Sequence, residues 1–390
     1  MRKRNLSHPG RPVNGAPAMA SFRLVEPHTS HTLALCYGTR PQTIKASALR
    51  RALSPAWRVL AMDTGQHYDY AMNALLYEQL VVEAPDLFLE VGSGSHAEQT
   101  AAILIRAEAV LKEHQPGAVL VIGDTNSTLG ATLAAVKLRI PVVHVEAGLR
   151  STDGLMAEEI NRRAVDAVAS LLCTPCATAT RRLQAERPDA RIVETGDVAY
   201  DVLRAQGTRL PAPGSIAKAA ANGGYLFATL HRAELTDRPE VLRGVLNALR
   251  MLAQPVVLAV HPRTRSVLQE LGASDGGALS LIPAVGYLES LALAAGAQAV
   301  ITDSGGLQRE AYWFGTPCIT VRAETEWTET LDCGANVLVP PEVAPERLAT
   351  TLAAQLSRWG SGEIWDRTSY GDGTAAQRIA QAVRDLIEQR

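Results

Sequence analysis

Short apolar runs alternate along the chain with Ala- and Leu-rich stretches of helical length, beginning near residue 32. The runs with the length and composition of buried parallel strands are 33–37, 118–122, 142–145, 171–174, 192–194, 225–229, 256–260, 279–282, 299–302 and 318–321. Stretches at 99–112, 129–138 and 159–168 have helical length and composition. This alternation predicts α/β architecture in which helices cover parallel sheets.

Ten strands are many for one sheet, and 390 residues suffice for two or three domains of roughly 150 residues each. A Pro-, Gly- and Ala-rich connection at 208–224 separates the first five strands from the second five. We therefore predict two Rossmann-like doubly wound domains that face a cleft. Residues 1–30 contain Arg, Pro and Gly without a sustained apolar stretch, which predicts a disordered extension and not a signal peptide.

Composition and charge argue against several classes of protein. The chain has 38 Lys and Arg against 40 Asp and Glu, whereas nucleic-acid-binding and polybasic membrane proteins carry excess basic charge. No apolar run approaches the ~20 residues that span a bilayer, so we expect a soluble protein with no membrane partner. Five cysteines are an odd and sparse set, which favours a reducing cytoplasm over a disulfide framework.

Polar and charged residues follow many of the predicted strands directly. Because ligands of doubly wound sheets bind at the carboxyl ends of the strands, these loops predict the substrate cleft. The loops are 38–41, 123–126, 146–150, 231–232, 261–263 and 303–306.

The loop DSGG at 303–306 precedes a helical stretch at 307–313. Glycines let backbone N–H groups approach a phosphate and a helix N-terminus adds positive potential, although a tight turn has the same sequence pattern. Glu310 on this helix either accepts hydrogen bonds from a ribose diol or faces solvent. The sequence contains neither a Walker A motif nor a full G-x-G-x-x-G, which argues against triphosphate hydrolysis and dinucleotide redox chemistry.

Cationic and acidic side chains gather at the same loops. A pyrophosphate requires several cations, and the candidates are Arg40, Lys45, His231, Arg232, Arg263 and Arg322. Asp124 and Glu146 follow consecutive strands, and Glu158 and Glu159 come shortly after. Such carboxylates suit acid–base chemistry or a metal ion. No compact metal-ligand spacing is present, so we expect no metal.

Two other motifs carry little weight. Cys173 and Cys176 have the C-x-x-C spacing of redox and zinc sites, but a second ligand pair is lacking, so we expect incidental buried cysteines. A Gly-x-Ser-x-Gly elbow is absent from the sequence, and acyl transfer therefore has no support.

Ten segments together resemble the UDP-N-acetylglucosamine 2-epimerase family over essentially everything after residue 31. They occur in the family's order as GTRPQTIK (38–45), TGQHYDY (64–70), GDTNST (123–128), PVVHVEAGLRS (141–151), EEINRR (158–163), TGDVAYD (195–201), LHRAE (230–234), HPRT (261–264), DSGGLQREA (303–311) and RAETEWTET (322–330). The resemblance implies the two-domain fold of B-type glycosyltransferases. An N-terminal domain would comprise 31–194 plus 372–390, including a returning helix at 374–389, and a UDP-binding C-terminal domain would comprise 195–371.

The resemblance also implies roles for individual residues. The positions that would hold UDP are Arg40, Lys45, His231, Arg263, Tyr287, Ser304, Gly305, Gly306, Glu310 and Arg322. The candidates for catalysis are Asp124, Glu146, Glu158 and His231. Gln66 and His67 match a motif that implies a regulatory substrate site.

In the implied reaction, UDP leaves C1 as a proton leaves C2, which gives a 2-acetamidoglucal. UDP then adds back while C2 is reprotonated on its other face. The resemblance thus predicts a non-hydrolysing, cofactor-independent 2-epimerase, a homodimer that interconverts UDP-GlcNAc and UDP-ManNAc or acts on a related sugar. The alternatives are a hydrolysing 2-epimerase, a B-type glycosyltransferase and a non-catalytic nucleotide-sugar sensor.

The chain departs from the family pattern at several positions. Gln42 replaces the usual Glu after Arg-Pro, and Ala157 replaces the Pro before the acidic pair. Leu235 stands where the His-Arg-x-Glu motif continues with Asn, and Trp327 and Thr328 replace the Arg-Pro of Thr-Glu-Arg-Pro-Glu. These changes leave the candidate carboxylates in place. They suit a subgroup that acts on a diacetamido or uronic-acid nucleotide sugar.

Overall fold

The computed structural model describes most of the chain, in five stretches: 31–66, 83–207, 209–222, 224–359 and 365–389. The extension predicted at 1–30 and the candidate regulatory residue His67 lie outside these stretches. Within them, no helix has both the length and the apolar character needed to cross a membrane.

The strands of the described residues form two parallel sheets, which we assign to a first and a second lobe. The first sheet contains β1 (Thr32–Tyr37), β2 (Arg58–Asp63), β3 (Leu87–Phe88), β4 (Ala118–Ile122), β5 (Val142–Val145), β6 (Leu171–Thr174) and β7 (Ile192–Glu194), in the order β3-β2-β1-β4-β5-β6-β7. The second contains β8 (Leu226–Thr229), β9 (Val256–Ala259), β10 (Leu279–Ile282), β11 (Ala299–Thr302), β12 (Cys318–Thr320) and β13 (Asn336–Leu338), in the order β10-β9-β8-β11-β12-β13. The predicted α/β class and its two doubly wound sheets are confirmed.

Helices connect the strands and cover both sheets. The first lobe contains α1 (Arg40–Leu53), α2 (His96–His114), α3 (Asn126–Lys137), α4 (Ala157–Val168) and α5 (Ala177–Glu186), and α6 (Val198–Gln206) follows the last strand of its sheet. The second contains α7 (Pro213–Ile216), α8 (Ala233–Thr236), α9 (Pro239–Arg250), α10 (Pro262–Glu270), α11 (Tyr287–Gly296), α12 (Gly305–Phe314), α13 (Thr328–Asp332) and α14 (Pro345–Arg358). The C-terminal helix is α15 (Ala375–Glu388).

Helix α15 returns to the first lobe. Its amphipathic sequence places Ile379 and Val383 in the apolar core beneath the first sheet, together with Leu49 and Leu53 of α1. All four side chains are fully buried. The chain therefore crosses from the second lobe back to the first.

Three strands escaped prediction because their apolar signal is short. β2 is bounded by Arg58 and Asp63, so charged residues flank its buried centre. β3 has two residues, and β13 has three and begins with the buried polar residue Asn336. Runs this short are easily missed when strands are assigned from hydropathy alone.

An apolar cluster joins the lobes at the carboxyl ends of their strands. It brings Ile44 and Leu149 of the first lobe together with Tyr287, Leu288 and Trp327 of the second. Each of these residues lies in or after a loop that leaves the carboxyl end of a strand. The loops of both sheets therefore meet in one cleft, where doubly wound sheets bind ligands.

Candidate active site

Two candidate carboxylates lie at the carboxyl ends of neighbouring strands of the first sheet. Asp124 follows β4 and Glu146 follows β5, and these strands are hydrogen-bonded neighbours. Asp124 forms an ion pair with Arg162, and Glu146 forms one with Lys45. Their side chains keep 27% and 12% exposure, respectively, so both remain accessible from the cleft.

The backbone of Glu146 is strained. Its φ of 70° lies in the left-handed region, which a non-glycine residue seldom adopts. Strain of this kind persists only where the surroundings enforce it, and it concentrates at functional sites. The contact with Lys45 fixes the orientation of the Glu146 carboxylate.

Lys45 is buried among groups from both lobes. Burial, reinforced by the nearby Arg309, lowers the pKa of Lys45 to about 8, and the carboxylates of Asp197, Asp124 and Glu310 oppose that effect. Asp124 belongs to the first sheet and Glu310 to helix α12 of the second lobe. Lys45 therefore lies where the candidate catalytic and nucleotide-binding residues converge.

Gln42 joins two loops of the first lobe. Its Oε1 accepts from the backbone N–H of Gly38 at 2.9 Å, and its Nε2 donates to the carbonyl of Ile122 at 2.6 Å and to Oγ1 of Thr125 at 2.9 Å. An ionised Glu could not donate to that carbonyl. The donor that Gln42 provides to the Ile122 carbonyl therefore explains why Gln fits at a position where the family pattern has Glu.

The N-terminus of α12 has the geometry of an anion site. Ser304 caps the helix through its Oγ, which accepts from the N–H of Leu307 at 3.4 Å. The first-turn N–H groups of Gly305 and Gly306 precede any intrahelical acceptor and point out of the helix end, where they favour negative charge.

Asp303 connects this end of α12 to the loop after β8. Its Oδ2 accepts from the backbone N–H groups of His231 and Arg232, each at 2.8 Å, and its Oδ1 lies 3.5 Å from Nδ1 of His231. The buried carboxylate thereby holds two candidate phosphate ligands beside Ser304. Asp303 was part of a quoted motif, but the sequence alone assigned it no role.

His231 is part-exposed and stacks on His261, with ring centroids 4.9 Å apart. Burial lowers the pKa of His231 below its ordinary value, and Arg232, Arg263 and Arg40 lower it further against the opposing effect of Asp303. The imidazole is therefore neutral at pH 7 and able to accept a proton when an anion approaches.

Arg40, Tyr287 and Glu310 come together from three helices. Burial raises the pKa of Glu310, whereas Arg309, the Tyr287 hydroxyl and Arg40 act in the opposite direction. Burial lowers the pKa of Arg40, with Glu310 and Tyr287 opposing it. Three residues predicted from the resemblance to hold a nucleotide thus share one environment across the cleft.

Other predicted residues lie in different settings. Glu158 is half-buried in the first turn of α4, and Arg263 is exposed in the first turn of α10. Arg322 is buried and pairs with Glu326 at 3.3 Å. Gln66 is buried and accepts from the N–H and Oγ of Ser127 at 3.0 and 2.7 Å, so it supports the start of α3.

The described residues include the C-x-x-C cysteines and the side chains that could bind a metal ion. Cys173 and Cys176 are buried free thiols, as predicted. Burial raises the pKa of Cys173 to about 12, which makes the thiol unreactive. In the described part of the chain, no three His, Cys, Asp or Glu side chains form a group that could hold a metal ion.

Two buried arginines are important to the site but had no predicted role. Arg162 contacts Asp124, Glu159 at 3.2 Å and Glu326 of the second lobe at 3.7 Å. Arg309 pairs with Asp197, where Arg309 and Lys45 hold the pKa of the carboxyl below its ordinary value although burial opposes ionisation. Both arginines occur in quoted motifs, but only the folded structure reveals their partners.

Replacing Arg162 should destabilise the protein far more than replacing its neighbour. Arg162→Met removes the buried cation that contacts both Asp124 and Glu159, and losing one partner of a buried pair costs about 3–5 kcal/mol. Arg163→Met is the matched control, because Arg163 pairs with the same Glu159 but is 60% exposed, and surface pairs contribute only about 0–1 kcal/mol. Urea denaturation measures both, and equal losses would contradict this assignment.

Comparison with known proteins identifies the family. The family model described as UDP-N-acetylglucosamine 2-epimerase matches residues 52–384. UDP-2,3-diacetamido-2,3-dideoxy-D-glucuronate 2-epimerase of Pseudomonas aeruginosa is 41% identical over 359 residues, which cover 90% of this chain and 98% of that protein. UDP-N-acetylglucosamine 2-epimerase of Methanocaldococcus jannaschii is 36% identical over 366 residues, which cover 90% and 98%. A crystal structure of a UDP-GlcNAc 2-epimerase from M. jannaschii, in complex with UDP-GlcNAc and UDP, has a TM-score of 0.81 at 35% identity and covers 91% of this chain and 99% of that chain. The motifs, the glycosyltransferase-B-like fold and these similarities agree, and the chain belongs to the UDP-N-acetylglucosamine 2-epimerase family.

Proposed function

We propose that the protein inverts C2 of a UDP-linked 2-acetamido sugar without hydrolysing it, with UDP-GlcNAc and UDP-ManNAc as the reference pair. The observation that carries this proposal is that candidate acid–base residues and candidate nucleotide-binding residues both lie close to Lys45. Lys45 contacts Glu146 and lies within the field of both Asp124 and Glu310. The candidate acid–base residues and the candidate nucleotide-binding residues could therefore contact the same substrate.

The proposed reaction needs no cofactor. A carboxylate removes the proton from C2, the C–H electron pair forms the C1=C2 bond, and the C1–O bond breaks as UDP leaves. In the second half, an oxygen of UDP attacks C1 while C2 takes a proton on its opposite face. Two faces require two proton-transfer groups, and Asp124, Glu146 and Glu158 are the candidates.

The second lobe would stabilise the departing UDP. We assign the pyrophosphate to the N–H groups of Gly305 and Gly306 and to the Ser304 hydroxyl, with positive charge from Arg40. The neutral His231 would take up a proton as negative charge develops on the leaving group. Glu310 would accept hydrogen bonds from the ribose diol, beside Tyr287.

The wider organisation is also part of the proposal. We assign 31–194 plus 372–390 to the N-terminal domain, which carries the candidate acid–base carboxylates. We assign 195–371 to the UDP-binding domain. Helices α2 and α4 expose Ile105, Ile160 and Val168, and we propose a homodimer in which these side chains are buried; sedimentation at twice the monomer mass would support it. The five unpaired cysteines suit a role in the cytoplasm.

The similarity to the P. aeruginosa enzyme favours a second candidate substrate. Identity to the 2-epimerase acting on a diacetamido glucuronate is 41%, against 36% for the archaeal UDP-GlcNAc 2-epimerase. Trp327, one of the departures from the family pattern, lies in the apolar cluster that joins the lobes at the cleft. UDP-2,3-diacetamido-2,3-dideoxy-D-glucuronate is therefore proposed beside UDP-GlcNAc.

Phosphorus and proton NMR with each UDP-sugar test the proposed function. We expect one of the two to convert into its C2 epimer until both are at equilibrium, with the diphosphate linkage intact. Free UDP formed in stoichiometric amounts would indicate the hydrolysing reaction. Failure to turn over either sugar would contradict the proposal and favour a nucleotide-sugar sensor.

Replacing the candidate carboxylates should remove turnover while leaving UDP binding largely unchanged. Asp124→Asn, Glu146→Gln and Glu158→Gln keep side-chain volume but lose proton transfer, which typically contributes about 10²–10⁴-fold in rate. The control is Asp153→Asn, an exposed carboxylate shortly before α4. Steady-state rates and UDP calorimetry are the measurements, and near-normal turnover in all three variants would disprove the assignment.

A further inference from the structure

Two side-chain donors border the space in front of the first turn of α12. A methyl group added at Gly305 would lie 3.2 Å from Nε1 of Trp327 and 3.7 Å from Nη2 of Arg232. The Cα–Cβ direction of a helical residue tilts toward the helix N-terminus. Both nitrogen atoms therefore lie close to the end of α12 from which the N–H groups of Gly305 and Gly306 emerge.

Packing fixes the indole ring of Trp327. The residue is 4% exposed, the guanidinium of Arg309 lies 3.7 Å from the ring centroid, and Tyr370 meets the ring edge-on at 5.5 Å. Nε1 of Trp359 and of Trp365 each donates to a backbone carbonyl. Among the described residues, Nε1 of Trp327 has no such partner, and it is not one of the fully buried unpartnered atoms, which include Nε1 of Trp313.

An anion at the end of α12 would supply the missing acceptor. A phosphate oxygen bound to the N–H groups of Gly305 and Gly306 would face Nε1 of Trp327, with the guanidinium of Arg232 beside it. Asp303 holds the backbone of Arg232 in this position. The site would then combine helix N–H groups, one cation and one neutral donor of fixed direction.

We infer that Trp327 is a further pyrophosphate-binding residue, whose indole N–H donates to a phosphate oxygen of UDP at the N-terminus of α12. The inference rests on the proposed function, because it takes the anion to be the diphosphate of a UDP-sugar. It assigns a binding role to the position where the family pattern has Arg.

Calorimetry of Trp327→Phe tests this assignment. The substitution removes the N–H and keeps an aromatic ring beneath Arg309. The Kd for UDP should rise roughly ten- to hundredfold, the effect of one hydrogen bond to a charged group, while the Kd for uridine, which lacks phosphate, should stay unchanged. Trp313→Phe is the matched control, because Trp313 belongs to the same cluster and stacks on Tyr200 at 4.9 Å.

Proton–nitrogen NMR of the wild-type protein gives an independent readout. The indole N–H signal of Trp327 should move downfield when UDP binds, whereas that of Trp359 should not move. Unchanged UDP affinity in Trp327→Phe, parallel losses for UDP and uridine, or an unmoved Trp327 signal with UDP bound would each overturn the inference. A wild-type protein that binds no UDP would overturn the proposed function and this inference with it.

Discussion

A lysine buried between two lobes is stable as an ammonium ion only where carboxylates surround it. Lys45 meets this condition by contacting Glu146 and by lying near Asp197, Asp124 and Glu310. These carboxylates come from both lobes, so their charges balance only when the lobes are together. The same requirement that makes the buried lysine stable thereby gathers the candidate acid–base groups at the cleft.

Further polar contacts connect the lobes around this centre. Glu324 of the second lobe accepts from the Oγ of Ser151 at 2.5 Å and from the N–H of Thr152 at 3.2 Å. Glu326 links Arg322 to Arg162, and Arg162 in turn holds Asp124. The segment 322–330 therefore connects the second lobe to a candidate catalytic carboxylate. Its sequence affects how that carboxylate is held as well as what the cleft binds.

The sequence predicted those features that depend on local pattern. Strands such as 118–122 and 299–302 are continuous apolar runs, and DSGG before a helix is a local signal for an anion site. The strand β2 was missed because charged residues flank it. The contacts of Arg162 with Asp124, of Arg309 with Asp197 and of Asp303 with His231 could not be predicted, because each joins residues distant in sequence. Trp327 was recognised only as a departure, since its role depends on its distance from Gly305.

Removal and return of a proton at C2 is the central claim of the proposed chemistry. Epimerisation carried out in heavy water tests it most directly, with the product examined by mass spectrometry and proton NMR. The elimination and re-addition of UDP predicts deuterium at C2 of the epimerised sugar and loss of the H2 signal. Protium retained at C2 of the epimerised product would contradict it.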